Sequence, residues 1–175
     1  MIELVLGGAR SGKSRYAEQQ ALASGLPVVY IATAEAGDDE MQVRIQHHRQ
    51  RRPDHWFTVE EPILLAQVIS DYAGKQHCLL VDCLTLWLCN TLFDKQGHLQ
   101  AQRYQQQSEA LCAALATGQH HLIMVSNEVG SGVVAADAMT RRFVDEAGFL
   151  HQKLAQLSDK VVLVTAGLPQ TLKNL

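Results

Sequence analysis

The sequence predicts an α/β fold: a doubly wound, mostly parallel β-sheet with helices on both faces, built around a phosphate-binding loop (P-loop). Three observations lead there. Gly7-Gly8-Ala9-Arg10-Ser11-Gly12-Lys13-Ser14 matches G-x-x-x-x-G-K-[ST] at every fixed position. Five short, β-branched apolar runs mostly lack polar alternation, the pattern of strands covered on both faces. Helical stretches separate those runs, and alternation of strand and helix is the mark of the α/β class.

The elements follow in order. Ile2–Leu6 is a strand that runs straight into the loop, and a helix is expected over 13–24. Glycines let backbone N–H groups converge on phosphate oxygens, and the helix N-terminus adds partial positive charge. Lys13 is placed to reach the β- and γ-phosphates and the Ser14 hydroxyl to ligate Mg²⁺. Pro27–Ile31 is the second strand, and Ile31-Ala32-Thr33 closes it. The Thr33 hydroxyl reads equally as a nucleotide contact or as an ordinary helix cap.

Gly37-Asp38-Asp39-Glu40 turns into a helix over 39–52, with acids favourable at its start. That helix carries Arg44, His47, His48, Arg49 and Arg51. Adjacent helical residues point about 100° apart, so His47 and His48 face different ways. Neutral imidazole is a competent nucleophile toward phosphorus, and arginines neutralise phosphate oxygens. On spacing alone, a solvated basic face is the more ordinary reading.

Trp56–Val59 reads as a short extra strand, and Glu60 or Glu61 after it could anchor a ribose hydroxyl or a purine nitrogen. A helix over 62–74 precedes the strand His77–Val81, which ends on Asp82. A carboxylate there either holds Mg²⁺ or caps the next helix, and the phosphate loop favours the metal. Helices over 84–93 and 100–117 follow, the latter with a solvated Gln-rich face. After the strand His121–Val125, Asn127-Glu128-Val129-Gly130-Ser131-Gly132 has the composition of either a binding loop or a flexible turn. A helix over 138–157 and the strand Lys160–Val164 complete the pattern, and the tail Gln170–Leu175 carries no assigned role.

Bulk properties bound the partners. With 175 residues, 47% of them hydrophobic, one domain spanning 1–175 with a full core is expected. A net charge of -3 makes no electrostatic case for nucleic acid or an anionic membrane. No apolar run reaches the length of a membrane span, and no signal peptide is expected ahead of a loop starting at residue 7. Cys78, Cys83, Cys89 and Cys112 lack zinc-site spacing and read as reduced thiols of a cytoplasmic protein.

Taken together, Gly-Gly-Ala-Arg-Ser-Gly-Lys-Ser (7–14), Tyr-Ile-Ala-Thr (30–33), Asp-Asp-Glu-Met (38–41), Arg-Ile-x-x-His-Arg (44–49), Trp56 with Glu60, and Asn-Glu-Val-Gly-x-Gly (127–132) resemble one family. It is the bifunctional adenosylcobinamide kinase / adenosylcobinamide-phosphate guanylyltransferase family of cobalamin biosynthesis. The resemblance implies a RecA-like P-loop domain, a homotrimer, Mg²⁺ as cofactor, and GTP and ATP as substrates beside adenosylcobinamide and its phosphate. It implies two reactions: phosphorylation of adenosylcobinamide, then GMP transfer from GTP through a guanylyl-histidine, which falls on His48. It also carries the nucleotide site onto Gly7 to Ser14 (Gly7, Gly8, Ala9, Arg10, Ser11, Gly12, Lys13, Ser14), Ile31, Ala32, Thr33, Arg49, Gln50, Arg51, Arg52, Glu60 and Asp82. Two other readings compete: a small-molecule kinase without guanylyl transfer, and a RecA-like ATPase acting on a macromolecule.

Overall fold

A computed structural model describes residues 1–35 and 53–175. The chain runs β1 (Ile2–Gly7), α1 (Lys13–Ala23), β2 (Val28–Ala32), β3 (Phe57–Glu60), α2 (Leu65–Asp71), β4 (Cys78–Asp82), α3 (Leu84–Leu92), α4 (Ala101–Ala116), β5 (His121–Asn127), α5 (Ala138–Leu157), β6 (Lys160–Thr165) and β7 (Leu168–Asn174). One seven-stranded sheet has the order β3-β2-β4-β5-β1-β6-β7, parallel throughout except for the β6–β7 pair. This is the expected α/β fold, a doubly wound and mostly parallel sheet with helices on both faces. The expected helix over 39–52 lies outside the described residues.

Alternation along each strand divides the core. Val5, Tyr30, Leu80, Ile123 and Val125 face α1 through Ala17 and Ala21. Leu4, Leu6, Ile31, Leu79, Leu122 and Met124 face the other side, where Leu65, Trp87, Leu111 and Leu150 of α2 to α5 cover them. Both faces are buried, which is why the strands read as apolar runs rather than as alternating ones.

Two boundaries differ from expectation. The helix expected over 62–74 is cut to Leu65–Asp71. The Glu61 carboxylate accepts from the N–H groups of Ile63 (2.9 Å) and Leu64 (2.7 Å), so a turn occupies its start. At the other end Tyr72 closes the helix, and the chain then bends through Gly74 at φ +71°. The tail left without a role is β7, antiparallel to β6. It is polar, exposed and begins Leu168-Pro169, features that hide a strand from a search for apolar runs. The turn into it is Ala166-Gly167, with φ of +52° and +79°. Two consecutive positive φ values make the tight hairpin connection that matches strand twist.

Candidate active site

Six parallel strands bring their carboxyl ends to one edge, where ligands bind in folds of this type. Register puts Glu60 beside Ala32, Ala32 beside Asp82, Asp82 beside Val125, and Asn127 beside Gly7. The edge therefore runs from the end of β3 to the phosphate loop, with Asp82 and Asn127 between.

The loop is held from both sides and open in front. Gly7 is buried at the end of β1, and its carbonyl accepts from the Glu128 N–H at 3.0 Å. A Cβ on Gly7 would meet Ser11 Oγ and lie 2.6 Å from the Val164 carbonyl oxygen, so only glycine fits. Arg10 (φ +56°) and Gly12 (φ +96°) adopt the left-handed conformation. The Gly167 N–H donates to the Ser11 carbonyl at 2.8 Å, so the β6–β7 turn braces the loop from behind. Gly8, Ala9 and Arg10 stay exposed. No side chain caps α1 and no acid sits in its first turn, so its leading N–H groups remain available to an anion.

Lys13 folds back, donating to the Gly8 carbonyl at 3.2 Å. Burial pushes its ammonium pKa down, and the nearby Cys83 and Asp82 partly offset that. The lysine and the strand-end acid therefore share one neighbourhood. Asp82 does not cap the following helix, whose N-cap is Cys83 without a side-chain bond. Instead its Oδ2 accepts from the Tyr30 hydroxyl at 2.9 Å, and Tyr30 stacks on the buried Trp56 with ring centroids 6.4 Å apart. The Ser14 hydroxyl and the Asp82 carboxylate are hard oxygen donors, the ligand type Mg²⁺ takes alongside phosphate oxygens. Among the described residues there is no cluster of three or more His, Cys, Asp or Glu able to hold a metal unaided.

Thr33 is committed within the protein. Fully buried, it donates from Oγ1 to the Cys83 carbonyl (2.7 Å), accepts at Oγ1 from the Cys83 N–H (2.9 Å), and accepts at its own carbonyl from Asn90 (2.8 Å). It clips β2 to β4. Ile31 is fully buried, and the Ala32 carbonyl accepts from the Glu61 N–H at 2.9 Å. Of the acidic pair after β3, Glu61 starts the turn into α2, while Glu60 ends β3 beside Ala32. His47, His48, Arg49, Gln50, Arg51 and Arg52 lie outside the described residues.

Sequence reasoning missed Tyr30 and Gly167 as supports of this edge. Strand alternation, which puts Tyr30 and Asp82 on the α1 face, could have found the first. The Ala-Gly pair directly after the last apolar run could have found the second. All four cysteines are free thiols, and burial pushes Cys83 up to about 11, so no reactive thiolate borders the site.

A family model described as cobinamide kinase / cobinamide phosphate guanyltransferase matches residues 3–172. The bifunctional adenosylcobalamin biosynthesis protein CobP of Pseudomonas aeruginosa is 53% identical over 175 residues, covering 99% of this chain and 98% of that protein. The corresponding CobU protein of Escherichia coli is 38% identical over 182 residues, covering 99% and 100%. Among solved structures, the RadB recombinase aligns with a TM-score of 0.51 at 17% identity, over 93% of this chain and 73% of that one. That likeness concerns the fold alone.

Proposed function

The chain belongs to the cobinamide kinase / cobinamide phosphate guanyltransferase family and is a bifunctional kinase and guanylyltransferase of adenosylcobalamin biosynthesis; from that premise we propose how its residues divide the two reactions. In the kinase step the phosphate loop, Gly7 to Ser14, cradles the triphosphate through its backbone N–H groups. Lys13 unfolds from the Gly8 carbonyl onto the β- and γ-phosphates and stabilises charge that grows during transfer. Ser14 and Asp82 hold Mg²⁺, with Tyr30 fixing the Asp82 carboxylate. When bound, the ion neutralises phosphate charge. The alcohol oxygen of adenosylcobinamide attacks the γ-phosphorus, the bond to the diphosphate breaks, and the alcohol gives up its proton.

In the guanylyl step His48 is the nucleophile. Its ring nitrogen attacks the α-phosphorus of GTP and pyrophosphate leaves. A phosphate oxygen of adenosylcobinamide phosphate then attacks the same phosphorus, and the imidazole departs. Two displacements let one site hold GTP and then the corrinoid phosphate in turn. Arg49, Gln50, Arg51 and Arg52 accompany the phosphates, Glu60 meets the guanosine, and the segment Ile31 to Thr33 shapes the GTP path by packing. Free cysteines support a cytoplasmic setting, and among the described residues no helix is long and apolar enough to cross a membrane. One domain over 1–175 and assembly as a homotrimer complete the proposal, the trimer resting on family resemblance.

The observation that carries the phosphoryl-transfer half is the uncapped start of α1, with Lys13 beside Asp82. The histidine half is tested with α-labelled GTP and Mg²⁺. Wild type is expected to acquire an acid-labile, alkali-stable label that adenosylcobinamide phosphate chases off, and His48→Ala none. Label persisting in His48→Ala would remove the role from this residue.

A further inference from the structure

β5 lies between the phosphate-loop strand β1 and the Asp82 strand β4, and its last residues face opposite ways. Asn127 follows Ile123 and Val125 onto the α1 face, the face of Lys13 and Asp82. Its Oδ1 is buried without a hydrogen-bond partner. Ser126 follows Leu122 and Met124 onto the opposite face, where α5 packs. There Ser126, 2% exposed, meets His151 Nε2 at 2.8 Å, and its Oγ lies 3.3 Å from the Thr85 hydroxyl. Thr85 Oγ1 accepts from the Asn127 N–H at 2.7 Å. His151 Nδ1 lies 3.9 Å from Glu128 Oε2, and the Glu128 N–H reaches the Gly7 carbonyl.

One direction of donation suits the Glu128 carboxylate as well as these hydroxyls. The Asn127 N–H donates to Thr85, Thr85 to Ser126, and Ser126 to His151 Nε2. The imidazole proton then sits on Nδ1, toward the Glu128 carboxylate. The reverse order would turn a lone pair toward that carboxylate. Burial pushes His151 down, with Glu128 partly offsetting it, which suits a neutral ring accepting at Nε2. Hydrophobic packing alone needs none of this. A buried imidazole linked through two hydroxyls to one strand-end N–H fixes where the Asn127 side chain projects on the far face of the sheet.

We propose that His151, acting through Ser126 and Thr85, is a positioning residue that holds the Asn127 carboxamide against the terminal phosphate of the bound triphosphate. Nδ2 donates to a γ-phosphate oxygen, and the orphaned Oδ1 accepts from a group that nucleotide binding brings in. The contact exists only while the γ-phosphate is present, so Asn127 distinguishes triphosphate from diphosphate. This rests on the phosphate-loop assignment.

The test measures binding of a nucleoside triphosphate and its diphosphate, together with kinase kcat and KM, on the full chain. Asn127→Ala is expected to lower kcat and weaken triphosphate binding by about 10- to 100-fold while leaving diphosphate binding within about twofold. Asn127→Asp keeps the shape but replaces the donor with an anion, and is expected to show the same split even if the alanine variant folds poorly. His151→Ala is expected to reproduce the split in weaker form, and His151→Asn, which restores a hydrogen-bonding group on α5, to recover it. Equal losses for both nucleotides, or unchanged discrimination in Asn127→Asp, would overturn the inference. Lys13→Ala separates the two claims: if it too leaves triphosphate binding intact, the phosphate-loop assignment fails, and if it abolishes binding while Asn127→Asp does nothing, only the Asn127 role fails.

Discussion

Replacing Gly7 by alanine tests whether steric constraint at the end of β1 sets the geometry of the phosphate loop. The new Cβ would lie 2.6 Å from the Val164 carbonyl, whereas ordinary contact begins at 3.4 Å. Neither that backbone oxygen, on a strand flanked by β1 and β7, nor the buried Ser11 side chain can retreat freely. The loop must therefore shift by about 0.8 Å, at an overpacking cost of about 1–3 kcal/mol. In a chain of this size each kcal/mol moves Tm by about 2–4 °C, so a fall of roughly 2–12 °C is expected. The catalytic effect is larger, because displacing a positioned group by about 1 Å costs on the order of 100-fold in rate. Calorimetry gives the first quantity and steady-state kinase assays the second. Gly8→Ala is the control for stability: nothing lies within 4 Å of its Cβ, and Gly8 is exposed. Its Tm should match wild type. A Gly7→Ala variant with wild-type Tm and kinase kcat would refute the steric account of this loop.

Two further outcomes follow from buried groups. Thr33→Val removes a hydroxyl that both donates to and accepts from the Cys83 backbone, at an expected cost of about 1–3 kcal/mol; the loss should appear in Tm, and a raised GTP KM with unchanged Tm would instead make Thr33 a ligand. Burial lowers the pKa of His151 and of His121, so the unfolded chain binds more protons than the folded one below the unperturbed value of about 6.5. Their contribution to stability is therefore complete above about pH 6.5 and is lost as pH falls through the lower folded values. Denaturant midpoints measured across that window should show a shallower pH dependence in His151→Asn than in wild type, and identical slopes would exclude the residue.

Much of the edge that binds nucleotide was legible from local pattern. Gly12 and Lys13 are legible in the motif because a left-handed backbone and an uncapped helix start are properties of a few consecutive residues. Asp82 was legible as the polar end of an apolar strand. That its carboxylate leaves the next helix uncapped and takes the Tyr30 hydroxyl was not, because Tyr30 lies 52 residues away in sequence. Likewise Glu60 and Glu61 are equivalent as letters; the tertiary structure shows that Glu61 starts the turn into α2.

The sequence by itself determined the class of fold, the phosphate loop and, through family resemblance, the pair of reactions. Each of these depends on short-range periodicity or on residue types at fixed spacing, which folding does not rearrange. Tertiary structure alone decided the rest. It placed β5 between β1 and β4, paired a polar tail with β6, turned the Thr33 hydroxyl inward, and joined His151 to Ser126, 25 positions apart. Those outcomes depend on which strands become neighbours and which face each residue takes. Hydrogen-bond partners are chosen at that stage, once burial makes every unpaired polar group costly.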